Sequence, residues 1–447
     1  MTRLGALFGL RMDAVAAPLR IAFLAALLLA AGNAVVTWHD VRDYGGTDLR
    51  ARVVGARLLV LGQNPYRPQA APVKEWLFDP HGVFRDISRC PYDPPLLAVY
   101  ALLCWLPYAV QRVVWFFLEW SALIVSIAVL ARTFPGPRAR AGFVILSLGF
   151  FAGGAFWRLH VERGQYYSLL LVLLSWFVWR LKRGRHDDWR AGLLLGLAAA
   201  LRPTLGIAVL PLWLLGYRRT AAGAVGSALT VVLLLLPVAG PSIWRDYARL
   251  VDVLEQAVPR LPPVTSPPYA VRVEGADFTR VLEHRSSNAN VHLLLVVLQR
   301  RTGWPDSRSI PVLAKASFLA TLIALLAVVA SARGGRWGPS SALLVSFCFV
   351  LATDHFLPVR WGYNDVLYLA PLALLAPPLS RPRGRVVLLV VVAALFLGHG
   401  PLGIVDGPTG TLLRSVLLTA VLFSWVVAAA YRRRKAALPP APNLAAA

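Results

Sequence analysis

Apolar runs long enough to cross a bilayer recur from residue 21 to residue 430, and short basic clusters separate them. A spanning helix needs about 20 apolar residues for a core of ~30 Å. The basic clusters fall at Arg132/Arg138/Arg140, at Arg180/Lys182/Arg183/Arg185/Arg190, at Arg218/Arg219, at Arg333/Arg336, at Arg381/Arg383/Arg385 and at Arg432/Arg433/Arg434/Lys435. Short basic loops stay cytoplasmic. If all of these share that side, every segment rich in Asp, His, Tyr and Asn is forced to the other. The pattern predicts an all-α polytopic membrane protein, with both termini cytoplasmic and its chemistry on the external face.

The same rule sets the span count. Residues 94–131 hold two apolar stretches, 94–108 and 113–131. If both crossed, the basic segment 132–140 would become external, and so would 180–190. Pro94-Pro95 opens the first stretch and Pro107 closes it, leaving too few residues for a ~30 Å core. Residues 94–108 therefore read as an interfacial or re-entrant helix. Spans are then expected near 18–37, 113–131, 141–157, 166–181, 190–201, 204–217, 221–239, 310–331, 339–353, 366–379, 385–399 and 411–430, about 12 in all. Residues 1–447 form one integral domain. Its large external loops are 38–112 and 240–309, the latter with a second interfacial helix at Val291–Leu298. The smaller external segments are 158–165, the Arg202-Pro203 turn, 354–365 and 400–410. Ile21–Ala31 after Arg20 resembles a signal-peptide core and is read as an uncleaved first span.

The net charge of +24 could suggest nucleic acid. Most of the excess falls in the loops assigned to the cytoplasm. It is thus an orientation signal that favours anionic lipid headgroups, not nucleic acid. Cys90, Cys104 and Cys348 show no CxxC or paired spacing, so neither a disulfide framework nor a thiolate metal site is expected. There is no HExxH, no HxH and no acidic triad. The abundance of Arg, Ala, Leu and Gly over Lys suggests a bacterial cytoplasmic membrane.

Leu49, Val53, Ala56 and Val60 recur at helical spacing, with Arg50 and Arg57 on another side. That predicts an amphipathic helix on the membrane surface. Asp48 sits in its first turn, where it serves either as a helix cap or as a general base on a rigid helix end. Gly62-Gln-Asn-Pro-Tyr66 and Cys90-Pro-Tyr-Asp-Pro-Pro95 read as ordered loop. Arg202, an ionised group between two apolar spans, reads either as functional or as a snorkelling headgroup contact.

An external Asp shortly after the first span, the stretch "ARLLVLGQNPY" and a later "YDPPLL" resemble the GT-C glycosyltransferases. The likeness is to glycosyltransferase family 87, the polyprenol-phosphate-mannose-dependent α-mannosyltransferases. Gly164-Gln165-Tyr166-Tyr167 is similar to that family's "GQ" step. Ala191–Thr204 is similar to its "GLA…KPT" segment, with Arg202 in place of the usual Lys. Arg285–Asn290 faintly resembles its late "NQS" stretch. The likeness runs in order over residues 18–220 and weakens from 240.

The resemblance implies that Asp48 is the catalytic base, with Asp43 and Asp40 as rivals. It implies a polyprenyl-phosphate-sugar donor, a lipid or glycan acceptor, inversion, and no metal or other cofactor. Arg202, Arg158, Arg163, His355 and Arg360 are the candidates for the donor phosphate. Gln165, Tyr66, Tyr92, Tyr363 and Asn364 are the candidates for substrate contact. A multi-span lipid or solute transporter is the alternative; it predicts ionisable residues mid-span and broken helices. Another GT-C enzyme, such as an aminoarabinose or protein glycosyltransferase, is a further one.

Overall fold

The computed structural model describes residues 2–10, 13, 15–43, 46–67, 90, 92–184, 187–257, 272–273, 276–277, 291, 295, 298–299, 302–304, 309–331, 337–356, 362–379 and 407–437. These are helical apart from turns and a two-residue antiparallel ladder, Arg272–Val273 with Ala276–Asp277. The helices are α1 (Thr2–Leu7), α2 (Ala17–Asp43), α3 (Thr47–Val60), α4 (Pro94–Ala101), α5 (Tyr108–Ala131), α6 (Pro137–Leu146), α7 (Ala155–Arg163) and α8 (Tyr167–Arg183). After these come α9 (Trp189–Leu201), α10 (Val209–Leu214), α11 (Arg218–Ala257), α12 (Ile310–Ser331), α13 (Pro339–Phe356), α14 (Leu369–Leu379) and α15 (Gly407–Ala437).

Among the described residues, five helices are long and apolar enough to cross a membrane: Ala17–Arg42, Tyr108–Ala131, Arg218–Val251, Val312–Ala330 and Pro339–Phe356. Pro137–Ala152 with Trp157–Arg163, bent by 51°, would make a sixth. The larger expected count is not reached among the described residues. The segments expected as spans near 190–201 and 204–217 are a 13-residue helix and a 3₁₀ turn running into a six-residue helix. At 1.5 Å per residue α9 covers only ~20 Å. The span expected at 385–399 lies outside the described residues.

The expectation that 94–108 does not span holds. Pro94 and Pro95 occupy the first turn of α4, where a missing N–H costs nothing, and Asp93 caps it by accepting from Leu96 N at 2.9 Å. The helix is only 8 residues long, and a new one starts at Tyr108. Buried Arg57 donates to the carbonyls of Cys104 (2.9 Å) and Leu106 (3.1 Å), just past the end of α4. It had been expected on the polar side of α3. Those carbonyls require a donor once buried, and Arg57 supplies it.

Two breaks shape the site. Gly240 adopts φ +59° between Pro237 and Pro241, so α11 bends there and continues to Ala257. The sequence placed an external loop from residue 240. In fact the second arm packs back over the first long segment: Asp246 accepts from Asn64 (2.8 Å) and Arg67 (2.7 Å), and the Tyr66 and Tyr247 rings meet at 5.5 Å. The other break is the π-helical turn Ser147–Ala152, where Asn33 Nδ2 of α2 bonds to Ala152 O at 2.7 Å. The chain bends just after it, between Ala152 and Trp157, into α7, so residues 158–163, expected in an external loop, are helix.

The core sits among α5, α8, α9 and α13, with Leu123, Ile127, Leu170, Leu171, Val178 and Phe349 fully buried. The packing of α9 on α11 depends on small residues. A Cβ on Gly192 would lie 2.1 Å from Thr220 O, and one on Gly196 2.2 Å from Ala224 O. Backbone cannot yield as a flexible side chain can. Gly196→Val is expected to cost at least the ~1–3 kcal/mol typical of overpacking and to lower the melting temperature in detergent. Gly206→Ala, whose Cβ would find only Ala199 Cβ at 3.9 Å, should leave it unchanged.

Candidate active site

Gly164 ends α7 in the left-handed conformation, φ +66°, as a helix C-terminus favours. A Cβ there would lie 2.6 Å from Leu49 Cβ. The glycine lets α3 dock on the α7–α8 turn, and docking sets Gln165 opposite Asp48. Gln165 Nε2 donates to Asp48 Oδ2. Gln165 Oε1 accepts from Arg52 Nη2 at 2.5 Å. Arg163 Nη1 stands 3.7 Å from Asp48 Oδ2, and the Asp48 side chain is 20% exposed. Asp48, Arg163 and Gln165, singled out from separate parts of the sequence, thus meet. The helix start is Gly46 at φ +59°, with no side-chain cap bond.

Arg52 is the residue that sequence reasoning missed. It is completely buried and also donates to Gly164 O at 2.8 Å. Its guanidinium carbon lies 4.1 Å from the Tyr92 ring centroid, 5.0 Å from Tyr166 and 5.7 Å from Tyr100. Aromatic faces attract such a cation. The available signal was its place four residues after Asp48, on the same helix face. Tyr92 therefore belongs to this centre. Tyr66 supports it from outside, its hydroxyl donating to Tyr92 O at 2.7 Å.

The stacked pair Tyr166–Tyr167, centroids 4.6 Å apart, leads to a second cation. Arg202 lies 4.7 Å from the Tyr167 centroid, donates through Nε to Thr204 Oγ1 at 3.0 Å and is ion-paired with Asp354. It is buried and already opposed by a carboxylate, rather than set in an open turn. Arg52 and Arg202 thus flank two stacked tyrosines.

Other candidates lie apart from these contacts. Arg158 forms a two-pronged ion pair with Asp40 (2.8 and 3.1 Å), which engages one rival base. Asp354 and His355, expected in an external loop, are part of α13. His355 Nε2 meets Tyr368 Oη (3.0 Å) and Thr419 Oγ1 (2.8 Å), and Asn364 is buried nearby in sequence in a 3₁₀ turn. The same turn supplies Asp365 to Arg414 of α15 at 2.5 Å. Arg360 and the side chains of Asp43 and Tyr363 lie outside the described residues. Glu119 and His160, both buried, face each other at 2.9 Å between α5 and α7. Among the described residues, no group of three or more His, Cys, Asp or Glu could hold a metal ion.

Burial pushes Asp93 from its ordinary 3.8 up to about 8, against a lowering from its bond to Leu96 N. A raised folded value means that the proton favours the folded state. Its stabilising contribution is full below pH 3.8 and is lost as pH rises through about 8. Asp93→Asn keeps a capping oxygen without the charge. Its melting temperature in detergent should fall less than that of the wild type between pH 6 and pH 9.

Long apolar helices and a polar, cation-bearing centre at helix ends fit an enzyme acting at a membrane. Comparison with protein families identifies the class: residues 91–299 match the model of glycosyltransferase family 87. The match supports a membrane glycosyltransferase, and the family resemblance read from the motifs is borne out. The match starts after Asp48 and Arg52 and runs past residue 240, where the motif reading had weakened. It takes in Tyr92, Gln165, the tyrosine pair and Arg202. No curated protein matches the chain.

Proposed function

We propose that the chain transfers a hexose, mannose being the first candidate, from a polyprenyl-phosphate-sugar to a hydroxyl of a lipid or glycan acceptor. The reaction runs on the external face of the cytoplasmic membrane. Asp48 removes the acceptor proton. The acceptor oxygen bonds to the anomeric carbon from the side opposite the donor phosphate. The carbon–phosphate-oxygen bond breaks, polyprenyl phosphate leaves with the electron pair, and configuration inverts. Arg163 and Arg202 are the described cations best placed to stabilise the phosphate charge as it develops. Arg forks match phosphate oxygens.

The observation that carries this reading is the junction of Asp48, Gln165 and Arg163: a partly exposed carboxylate held by a side chain of the family-matched segment. The test is donor choice. Purified protein should transfer label from polyprenyl-phosphate-mannose to a membrane glycolipid extract, and not from a nucleotide-mannose. Transfer from the nucleotide sugar alone would overturn the donor assignment.

The buried pairs Glu119–His160 and Arg414–Asp365 and the kink at Gly240 favour transport as the second reading. Arg414 Nε donates to Asp365 Oδ2 at 2.6 Å within the protein, however, and the family match is to a glycosyltransferase.

A further inference from the structure

We propose that Gln165 and Arg52 are positioning residues that hold the Asp48 carboxylate in its reactive orientation. The inference rests on the reading of Asp48 as the base.

The geometry leaves one arrangement of the Gln165 amide. Arg52 has only donors to offer, so the amide oxygen must face it. The amide NH₂ is thereby turned to Asp48, which as an ionised carboxylate can only accept. One end of the chain of contacts therefore dictates the other. Arg52 is itself fixed, by Gly164 O at 2.8 Å and by the faces of Tyr92, Tyr100 and Tyr166. It has no exposed surface, so it acts through Gln165 rather than on substrate. Arg52 and Asp48 lie one turn apart on α3, whereas Gln165 arrives from the α7–α8 turn. The amide thus ties the first-turn carboxylate of α3 to the segment that carries Tyr166 and Tyr167. A carboxylate free to rotate would sample several rotamers, and small misplacements of a reacting group cost about 10²-fold in rate.

The discriminating variant is Gln165→Glu. It keeps the size of Gln165 and still accepts from Arg52. Ionised, it cannot donate to Asp48, and it places a second carboxylate beside it. If Gln165 served only to satisfy Arg52, the variant would behave as wild type. As a positioning residue it should lower kcat by at least about tenfold, with donor KM within about twofold, the pattern of an interaction made in the transition state. Gln165→Met, which offers neither contact, should do the same. Arg52→Lys keeps the charge, on a single donor nitrogen, and should retain more activity than Arg52→Met.

A second readout needs no sugar transfer. Carboxyl labelling with a water-soluble carbodiimide, read by mass spectrometry, should modify Asp48 several-fold faster in Gln165→Met and in Gln165→Glu than in wild type. Asp246 should react at an unchanged rate and so report intact folding. Faster Asp48 labelling in a protein that transfers no mannose would uphold the positioning and sink the donor assignment. Unchanged labelling with unchanged kcat in both Gln165 variants would overturn the proposal.

Discussion

Asp48→Asn is expected to abolish sugar transfer to within a small residue, a fall of about 10²–10⁴-fold, the usual contribution of a general base. The amide keeps the size of the carboxylate, and one face can still accept from Gln165 Nε2. It cannot take a proton from an acceptor hydroxyl. The protein should stay folded because Asp48 is partly exposed. Melting temperature should therefore match wild type while kcat collapses. Asp40→Asn should behave in the opposite way. Asp40 is engaged by Arg158, so its loss should disturb the packing of α2 on α7 and spare most of the turnover. A large kcat loss in Asp40→Asn together with near-normal Asp48→Asn would transfer the base to Asp40.

The second large effect is expected at Arg202 and Asp354. Both are buried, and they neutralise each other between the turn after α9 and the end of α13. Removing one partner strands the other charge, at a cost of about 3–5 kcal/mol. Arg202→Met and Asp354→Leu should each lower the melting temperature sharply. The double variant should recover much of that stability, because two apolar side chains replace a costly ion pair. A double-mutant cycle measures the coupling. Transfer should not return in the double variant if Arg202 also stabilises the donor phosphate. Arg202→Lys should lie between: it keeps the charge but loses the fork that also reaches Thr204 Oγ1. Recovery of both stability and turnover in the double variant would make the pair purely structural.

Much of this arrangement was legible in the sequence. The three prolines around residues 94–108 announced a short helix, because proline tolerates only the first turn and ends what precedes it. Asp48 in the first turn of an amphipathic segment, and Gly164-Gln165 at a helix junction, could be read one by one. That they touch could not be read. Contact depends on a left-handed glycine that admits Leu49, which is a tertiary event. Arg52 was missed because a cation is normally assigned to a solvated face. Here three tyrosine rings, a carbonyl and an amide oxygen replace water.

The same bias placed Asp354 and His355 in a loop. Polar residues read as external, yet each has partners on another segment that allow burial in a helix. A span was expected to end near residue 239, whereas Gly240 at φ +59° bends α11 and the chain resumes its helix. The remaining spans depend on counting hydrophobic segments of 10–17 residues, a length at which a core helix and a membrane span look alike.

One measurement bears most directly on the central claim that this chain is an enzyme using lipid-linked sugar. Purified wild-type protein in nanodiscs is given radiolabelled polyprenyl-phosphate-mannose and a membrane glycolipid extract. The label partitioning into acceptor is counted, and the anomeric configuration of the product is read by NMR. Acceptor labelling with inverted configuration is expected. Folded protein that labels no acceptor, yet moves the labelled lipid across proteoliposomes, would contradict it.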